Sequence, residues 1–229
     1  MLSNEIAQIL DRSRTAGWVL EPDAKHLLSL AGIMVPQFTW TRTLDEALHA
    51  AAAIGYPVVA KVVSPEILHK SDVGGVAVGI KDDTQLADTF NRFRAFKGFA
   101  GTIIDQTVYG VELIVGGKID YQFGPVVLLG IGGTGVEVYQ DTTLRMAPVT
   151  ENDVRSMVES LKGSKLLGGY RGSAPVSPDK LSQLVKTFSE LLVEMEDRIE
   201  SVDLNPVMCT AEACVVADAR IVLKSGNTA

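Results

Sequence analysis

The run Pro57-Val58-Val59-Ala60-Lys61-Val62-Val63 constrains this chain more than any other stretch. Its β-branched content and continuous apolar character read as a buried strand carrying one lysine. A lysine there is costly unless an anion meets it, because taking an ammonium out of water disfavours its charge. Lys61 is therefore either a side chain reaching past a sheet edge to water or a clamp on an anionic ligand. The segment just beyond, His69-Lys70-Ser71-Asp72-Val73-Gly74-Gly75-Val76, favours the clamp. A strand that delivers a fixed cation to a glycine-containing loop suits phosphates, and an imidazole in that loop can itself accept a phosphoryl group.

Around this strand the pattern alternates. Glu21-Pro22-Asp23 opens a helix that Gly32 stops, and Val35–Trp40 is strand-like. Thr43-Leu44-Asp45-Glu46 has the spacing of a capping box and predicts a helix to Ile54. Val76–Ile80, a helix from Asp82 to Phe96 and the strand Thr102–Gln106 complete the first half. The second half differs. Short strands at Val111–Val115, Pro125–Leu129, Val136–Tyr139 and Leu144–Ala147, parted by glycines and polar turns, predict an antiparallel sheet. Helices at Glu151–Leu161 and Asp179–Met195 come after it. Strands at Ile199–Leu204, Val207–Cys209, Val215–Ala217 and Arg220–Leu223 are next, with a disordered tail from Ser225 to Ala229. The fold class is α+β, one unit of two lobes that change over near residue 105.

Composition narrows the partners. The 229 residues carry a net charge of −7, which argues against a nucleic-acid or anionic-membrane surface. No apolar stretch approaches the roughly 20 residues that span a bilayer, and the first 20 residues lack the apolar core of a signal peptide. Cys209 and Cys214 flank a turn at Thr210–Ala213 and read as reduced structural thiols, which fits a cytoplasmic protein.

Further candidates lie along the chain. Glu112, in Gly110-Val111-Glu112-Leu113-Ile114-Val115, points away from its apolar neighbours, to solvent or to a cleft wall. Asp203-Leu204-Asn205-Pro206 and Ala217-Asp218-Ala219-Arg220 lie at strand ends that a turn would set side by side. Asn205 and Asp218 would then offer two oxygens to one hard cation such as Mg2+. The alternative is an Asn-Pro turn with an edge aspartate. Gly130-Ile131-Gly132-Gly133-Thr134-Gly135 has the look of a phosphate cradle but no lysine at P-loop spacing. A glycine-rich hairpin is the competing account. Ser71, Arg145 and the glycine-framed Arg171 are candidate phosphate contacts. His26 and His49 fall in predicted helices, as surface or packing residues.

In order, these segments resemble the ATP-grasp domain of the ADP-forming acetyl-CoA and acyl-CoA synthetases, from Glu21 through Leu223. The resemblance is carried by GYPVVAKVVSPEILHKSDVGGV (55–76), GVELIVG (110–116), FGPVVLLGIGGTGVEV (123–138), GYRG (169–172), DLNP (203–206) and ADAR (217–220). The first is highly specific; the last two are shared with succinyl-CoA synthetase β-like chains. The resemblance implies two lobes with antiparallel sheets gripping ATP or ADP. One subdomain would be 20–105, with a mobile histidine loop at 64–76, and the other 1–19 with 106–229. It implies nucleotide contacts from Lys61, Gln106, Glu112, Gly132 and Gly133, magnesium on Asn205 and Asp218, and transient phosphorylation of His69. Lys70 would balance the phosphohistidine charge. Before GVEL, around Gln106, the chain is shorter than the family pattern and lacks its proline-rich hinge.

No CoA-binding domain precedes residue 20, so the resemblance implies a free-standing β-type subunit. Its partner would be a CoA-binding α-type subunit carrying the other catalytic histidine. Together they would convert acyl-CoA, ADP and phosphate reversibly into free acid, CoA and ATP. A non-catalytic nucleotide-sensing module and a carboxylate–amine ligase are the alternatives, and neither requires a phosphorylated histidine.

Overall fold

The computed structural model describes residues 2–133, 140–169 and 174–225. The expected strand at Val136–Tyr139, Arg171 and residues 226–229 of the tail lie outside the described residues. In chain order the elements are α1 (Asn4–Ser13), β1 (Trp18–Val19), α2 (Glu21–Leu30), β2 (Phe38–Thr41), α3 (Leu44–Ile54), β3 (Val58–Val63), β4 (Val76–Ile80), α4 (Asp83–Arg94) and β5 (Gly101–Gln106). They continue as β6 (Val111–Asp120), β7 (Gly124–Ile131), β8 (Thr142–Met146), α5 (Glu151–Ser160), α6 (Pro178–Glu194), β9 (Ile199–Cys209), β10 (Cys214–Val216) and β11 (Ala219–Leu223).

The chain divides into two compact units, Pro36–Val108 and Met1–Val35 with Tyr109–Ala229. The smaller has an antiparallel four-stranded sheet, β2-β5-β3-β4. Helices α3 and α4 cover one face, burying Ala47, Ala51, Leu86, Phe90 and Phe93 with Val58, Ala60, Val62 and Ile104. Local signals start both helices. Thr43 and Glu46 close the expected capping box, and the Asp82 side chain accepts from Gln85 N.

The larger unit is built, among the described residues, on a seven-stranded antiparallel sheet, β1-β11-β9-β6-β7-β8, with β10 added on β9. Its core joins α1, α2, α5 and α6 to one sheet face through residues such as Ile9, Leu27, Met157, Phe188, Leu113 and Val207. Gly117 on β6 lets α6 approach closely, since a Cβ there would sit 2.6 Å from Leu192 and 3.0 Å from Phe188.

Two expectations change and one helix is added. The division falls at residues 35/36 and 108/109, so α2 belongs to the larger unit rather than to a 20–105 subdomain. The reason is its apolar stripe: Ala24, Leu27 and Leu28 are buried in that unit's core. Helix α1 went unforeseen, although Ile6, Ile9 and Leu10 give it an apolar face and Ser3 caps it. The two strands expected at 199–204 and 207–209 are one, β9, interrupted by a bulge. No helix among the described residues is long and apolar enough to cross a membrane.

Candidate functional site

In the smaller unit, strand alternation puts Val58, Ala60 and Val62 on the helix-covered face and Lys61 on the other. Lys61 is nevertheless 6% exposed. It meets an anion of the chain's own: its Nζ lies 3.2 Å from Oδ2 of Asp105, itself 2% exposed. Lys61 faces Ile103 in the β3–β5 ladder and Asp105 faces Val59, so the pair is diagonal across two strands. Asp105 had no signal in the sequence, because its neighbours Ile103 and Ile104 hide it inside an apolar strand.

From β3 the chain enters the histidine loop. Ser64 anchors its start, donating to Lys97 O at 2.7 Å and accepting from Glu66 N at 3.1 Å. An exposed ion pair joins Glu66 to Lys97. At the far end a 3₁₀ turn, Ser71–Val73, is closed by Gly74 N donating to Ser71 O at 3.1 Å. Gly74 takes φ +68°, which favours glycine, and Arg92 donates to its carbonyl at 3.2 Å. Gly75 N donates to Lys70 O at 2.7 Å, while Val62 N donates to Gly75 O at 2.9 Å. A Cβ on Gly75 would lie 2.6 Å from Val62 and 2.9 Å from Lys70 O, so no other residue fits unchanged. These bonds return the loop to β3. His69 and Ser71 are exposed, and Lys70 is half-buried. Gln106 ends β5 exposed, its N–H donating to Gln37 O at 2.9 Å.

In the larger unit the candidates gather on the sheet face opposite the helices. Glu112 is exposed there, in register with Met208 of β9. Gly132 and Gly133 cross close to it: Gly132 N donates to Glu112 O at 2.7 Å, and a Cβ on Gly132 would lie 2.8 Å from Glu112 C. At Gly133, with φ +95°, a Cβ would lie 3.5 Å from Glu112 Oε2. A glycine pair thus packs the chain directly over a carboxylate.

The strand ends that carry Asn205 and Asp218 lie side by side. Val115 pairs with Leu204 but Leu113 with Val207, so Asn205 and Pro206 together oppose one residue of β6. That bulge turns two successive residues off the core face. Asn205 N donates to Asp218 O at 3.2 Å and Ala217 N to Pro206 O at 2.9 Å, holding the two segments together. Asn205 is exposed and Asp218 half-buried, and the neighbouring Asp203 is 3.4 Å from Arg220. A carboxamide and a carboxylate on segments joined through their backbones are oxygen donors of the kind a hard divalent cation takes, with waters and phosphate oxygens in its remaining positions.

Arg145 is not brought to this face. It pairs with the buried Val127 in the β7–β8 ladder, so alternation aims it at α5, where its guanidinium donates to Ser156 Oγ at 3.0 Å and to Leu144 O at 2.8 Å. His26 sits 2.9 Å from Glu5 Oε1 and His49 is 2.7 Å from Asp45 O, both exposed, as surface residues should be. Beyond Lys118 the same sheet face turns apolar, with Phe123, Leu144 and Met146 exposed beside Val126 and Leu128 in a trough of about 690 Å³.

Residues 10–223 match the model of the ATP-grasp domain family. The chain is 39% identical over 213 residues to the β subunit of acetate–CoA ligase (ADP-forming) I of Pyrococcus furiosus, covering 90% of this chain and 91% of that one. It is 38% identical to the 4-hydroxybutyrate–CoA ligase (ADP-forming) of Nitrosopumilus maritimus, covering 30% of that longer protein. Among solved structures, it superposes with a TM-score of 0.88 and 35% identity on the dinucleotide-forming acetyl-coenzyme A synthetase 1 of Ca. Korarchaeum cryptofilum bound to coenzyme A and Ca-AMPCP. That match covers 95% of this chain and 99% of the other. A second structure of that enzyme, with Mg-AMPPCP and its phosphohistidine segment pointing towards the nucleotide binding site, superposes at 0.83 with 36% identity over 96% of this chain and all of that one.

Proposed function

The chain belongs to the ATP-grasp domain family, and we propose that it is the β subunit of an ADP-forming acetate or acyl-CoA ligase. With a CoA-binding α-type subunit it interconverts acyl-CoA, ADP and phosphate with free acid, CoA and ATP. The observation that carries this reading is the exposed His69 on the loop that leaves β3, the strand of the buried Lys61, and is bonded back to that strand at Gly75. A carboxylate–amine ligase has no use for that imidazole.

In the synthetic direction the partner forms an acyl phosphate from acyl-CoA and phosphate, releasing CoA. Its own histidine takes the phosphoryl group, releasing the free acid. A nitrogen of His69 then attacks that phosphorus, and the bond to the partner's histidine breaks. Finally an oxygen of the ADP β-phosphate attacks, the P–N bond to His69 breaks, and ATP forms. Relay through imidazole replaces one long transfer by short in-line steps whose barrier falls through positioning and charge. Lys61 neutralises nucleotide phosphate oxygens, with Asp105 holding its ammonium in place. Lys70 offsets the charge on phosphorylated His69, and Glu112 and Gln106 contact the nucleoside. Asn205 and Asp218 would hold a magnesium ion, which would supply positive charge to phosphoryl oxygens. The exposed apolar trough at Phe123, Leu144 and Met146 is a surface on which the partner would dock.

Incubation with Mg2+ and γ-labelled ATP should label the isolated chain at an acid-labile, alkali-stable position. His69→Ala should abolish the label and leave ATP affinity within about twofold, since uniform binding is untouched when a transition-state group is removed. A label that survives the substitution sinks the relay.

A further inference from the structure

Cys209 ends β9 and Cys214 opens β10, and the two are direct partners in the antiparallel ladder. The turn between them is tightly made. Thr210 N donates to Ala213 O at 2.8 Å, and Thr210 Oγ1 accepts from Glu212 N at 3.1 Å and Ala213 N at 3.2 Å. Since the pair 210/213 is hydrogen-bonded, the next pair outward, Cys209 and Cys214, is a non-hydrogen-bonded one, with Cα atoms about 4.5 Å apart. That separation lies inside the roughly 4.4–6.8 Å window of disulfides. Opposed residues share a face, and both side chains are buried, at 1% and 4% exposure. A hydrogen bond between the two thiols, then burial, pushes Cys209 above the usual thiol range, and the same bond pushes Cys214 below it.

We propose that Cys209 and Cys214 form a reversible oxidation site, closing to a cross-strand disulfide on exposure to hydrogen peroxide. Cys214 Sγ, the less deeply buried of the two at 4% exposure against 1%, attacks one peroxide oxygen. The O–O bond breaks, and the departing hydroxide is protonated to water. Cys209 Sγ then attacks the sulfur of the Cys214 sulfenic acid; the S–O bond breaks, and the hydroxide leaves with the thiol proton as a second water. Two electrons pass from the two sulfurs to the peroxide, and a small dithiol returns them. The site's position gives it a consequence. Asn205 lies four residues before Cys209 and Asp218 four residues after Cys214, so the link staples the hairpin whose open end presents the proposed magnesium pair. The oxidation chemistry itself stands whether or not that pair holds a metal.

The test uses the full chain, folded, treated with hydrogen peroxide and then denatured for thiol titration. The reduced chain has two titratable thiols and the oxidised chain should have none, with both restored by dithiothreitol. The tryptic peptide from Ile199 to Arg220 contains both cysteines. Cut after Glu212, its halves should stay joined until reduction. Cys209→Ser should trap a sulfenic acid at Cys214 that dimedone captures, whereas Cys214→Ser should give no adduct at Cys209. Two thiols remaining after peroxide, or a disulfide joining two chains, would overturn the proposal. Dimedone capture at Cys209 but not at Cys214 would overturn the order of attack.

Discussion

Each unit buries a lysine against a carboxylate, and the two pairs are built differently. In the larger unit, Lys25 is 0% exposed and its Nζ lies 3.1 Å from Glu21 Oε1, one turn earlier on α2. In the smaller unit, Lys61 reaches Asp105 at 3.2 Å across two strands. The first pair is local and sits among core residues of a helix face. The second requires the sheet to form, and its strand runs straight into the histidine loop. Burial of a paired lysine is therefore no mark of function by itself. What distinguishes Lys61 is the glycine-bearing loop that comes after it, and what distinguishes Lys25 is that nothing chemical does.

The largest effect should come from breaking the local pair. Lys25→Met leaves Glu21 buried with its charge uncompensated, which costs about 3–5 kcal/mol. Urea unfolding should show that loss, and Glu21→Leu combined with Lys25→Met should recover most of it. The doubly substituted chain should bind Mg-ATP as the parent does. A loss below about 1 kcal/mol in the single variant, the range of exposed pairs, would show that this lysine is not held as a core residue.

The matching double substitution in the smaller unit, Lys61→Met with Asp105→Leu, separates the two roles. Stability should stay near that of the parent, because an apolar pair replaces an ionic one of similar volume. Mg-ATP affinity should fall about 100-fold, the scale of losing a charge-assisted hydrogen bond worth ~1.5–3 kcal/mol. Calorimetric titration of the two double variants side by side is the direct comparison. Equal nucleotide affinity in both would erase the distinction drawn between the lysines.

The same contrast explains what could be read in advance. Elements with a local signal were readable: the Thr43–Glu46 capping box, the apolar β3 run, and the glycines of the histidine loop. Asn205 and Asp218 were readable as a pair because a short turn, 210–213, forces their strands together. Features set by long-range partners were not. Asp105 is invisible until β5 lies beside β3. Arg145 looked like a phosphate contact until its pairing with Val127 fixed which face it took. The bulge at Asn205-Pro206 depends on β6 supplying one residue where β9 supplies two. Helix α1 is the exception, a local signal carried by Ser3, Ile6, Ile9 and Leu10 but diluted by the polar residues between them.

A smaller long-range pair in the smaller unit tests the contrast at lower stakes. Tyr56, just before β3, donates to Asp83 Oδ1 at 2.7 Å, tying the start of α4 to the entry of the strand. Burial first, then this hydrogen bond and the charges of Asp83 and Asp82, hold the phenol proton on well above the ordinary tyrosine range. The folded value is raised, so the unfolded chain releases this proton first, near pH 10. The stabilisation is therefore complete below about pH 10 and fades as pH climbs through that value towards the folded one. Tyr56→Phe should lose about 1 kcal/mol at neutral pH, the net worth of one hydrogen bond. Its stability curve should converge with the parent's in the alkaline range, because there the parent loses what the variant never had. A gap between the two curves that stays constant from neutral to strongly alkaline pH would show that the phenol packs α4 against β3 without its proton mattering.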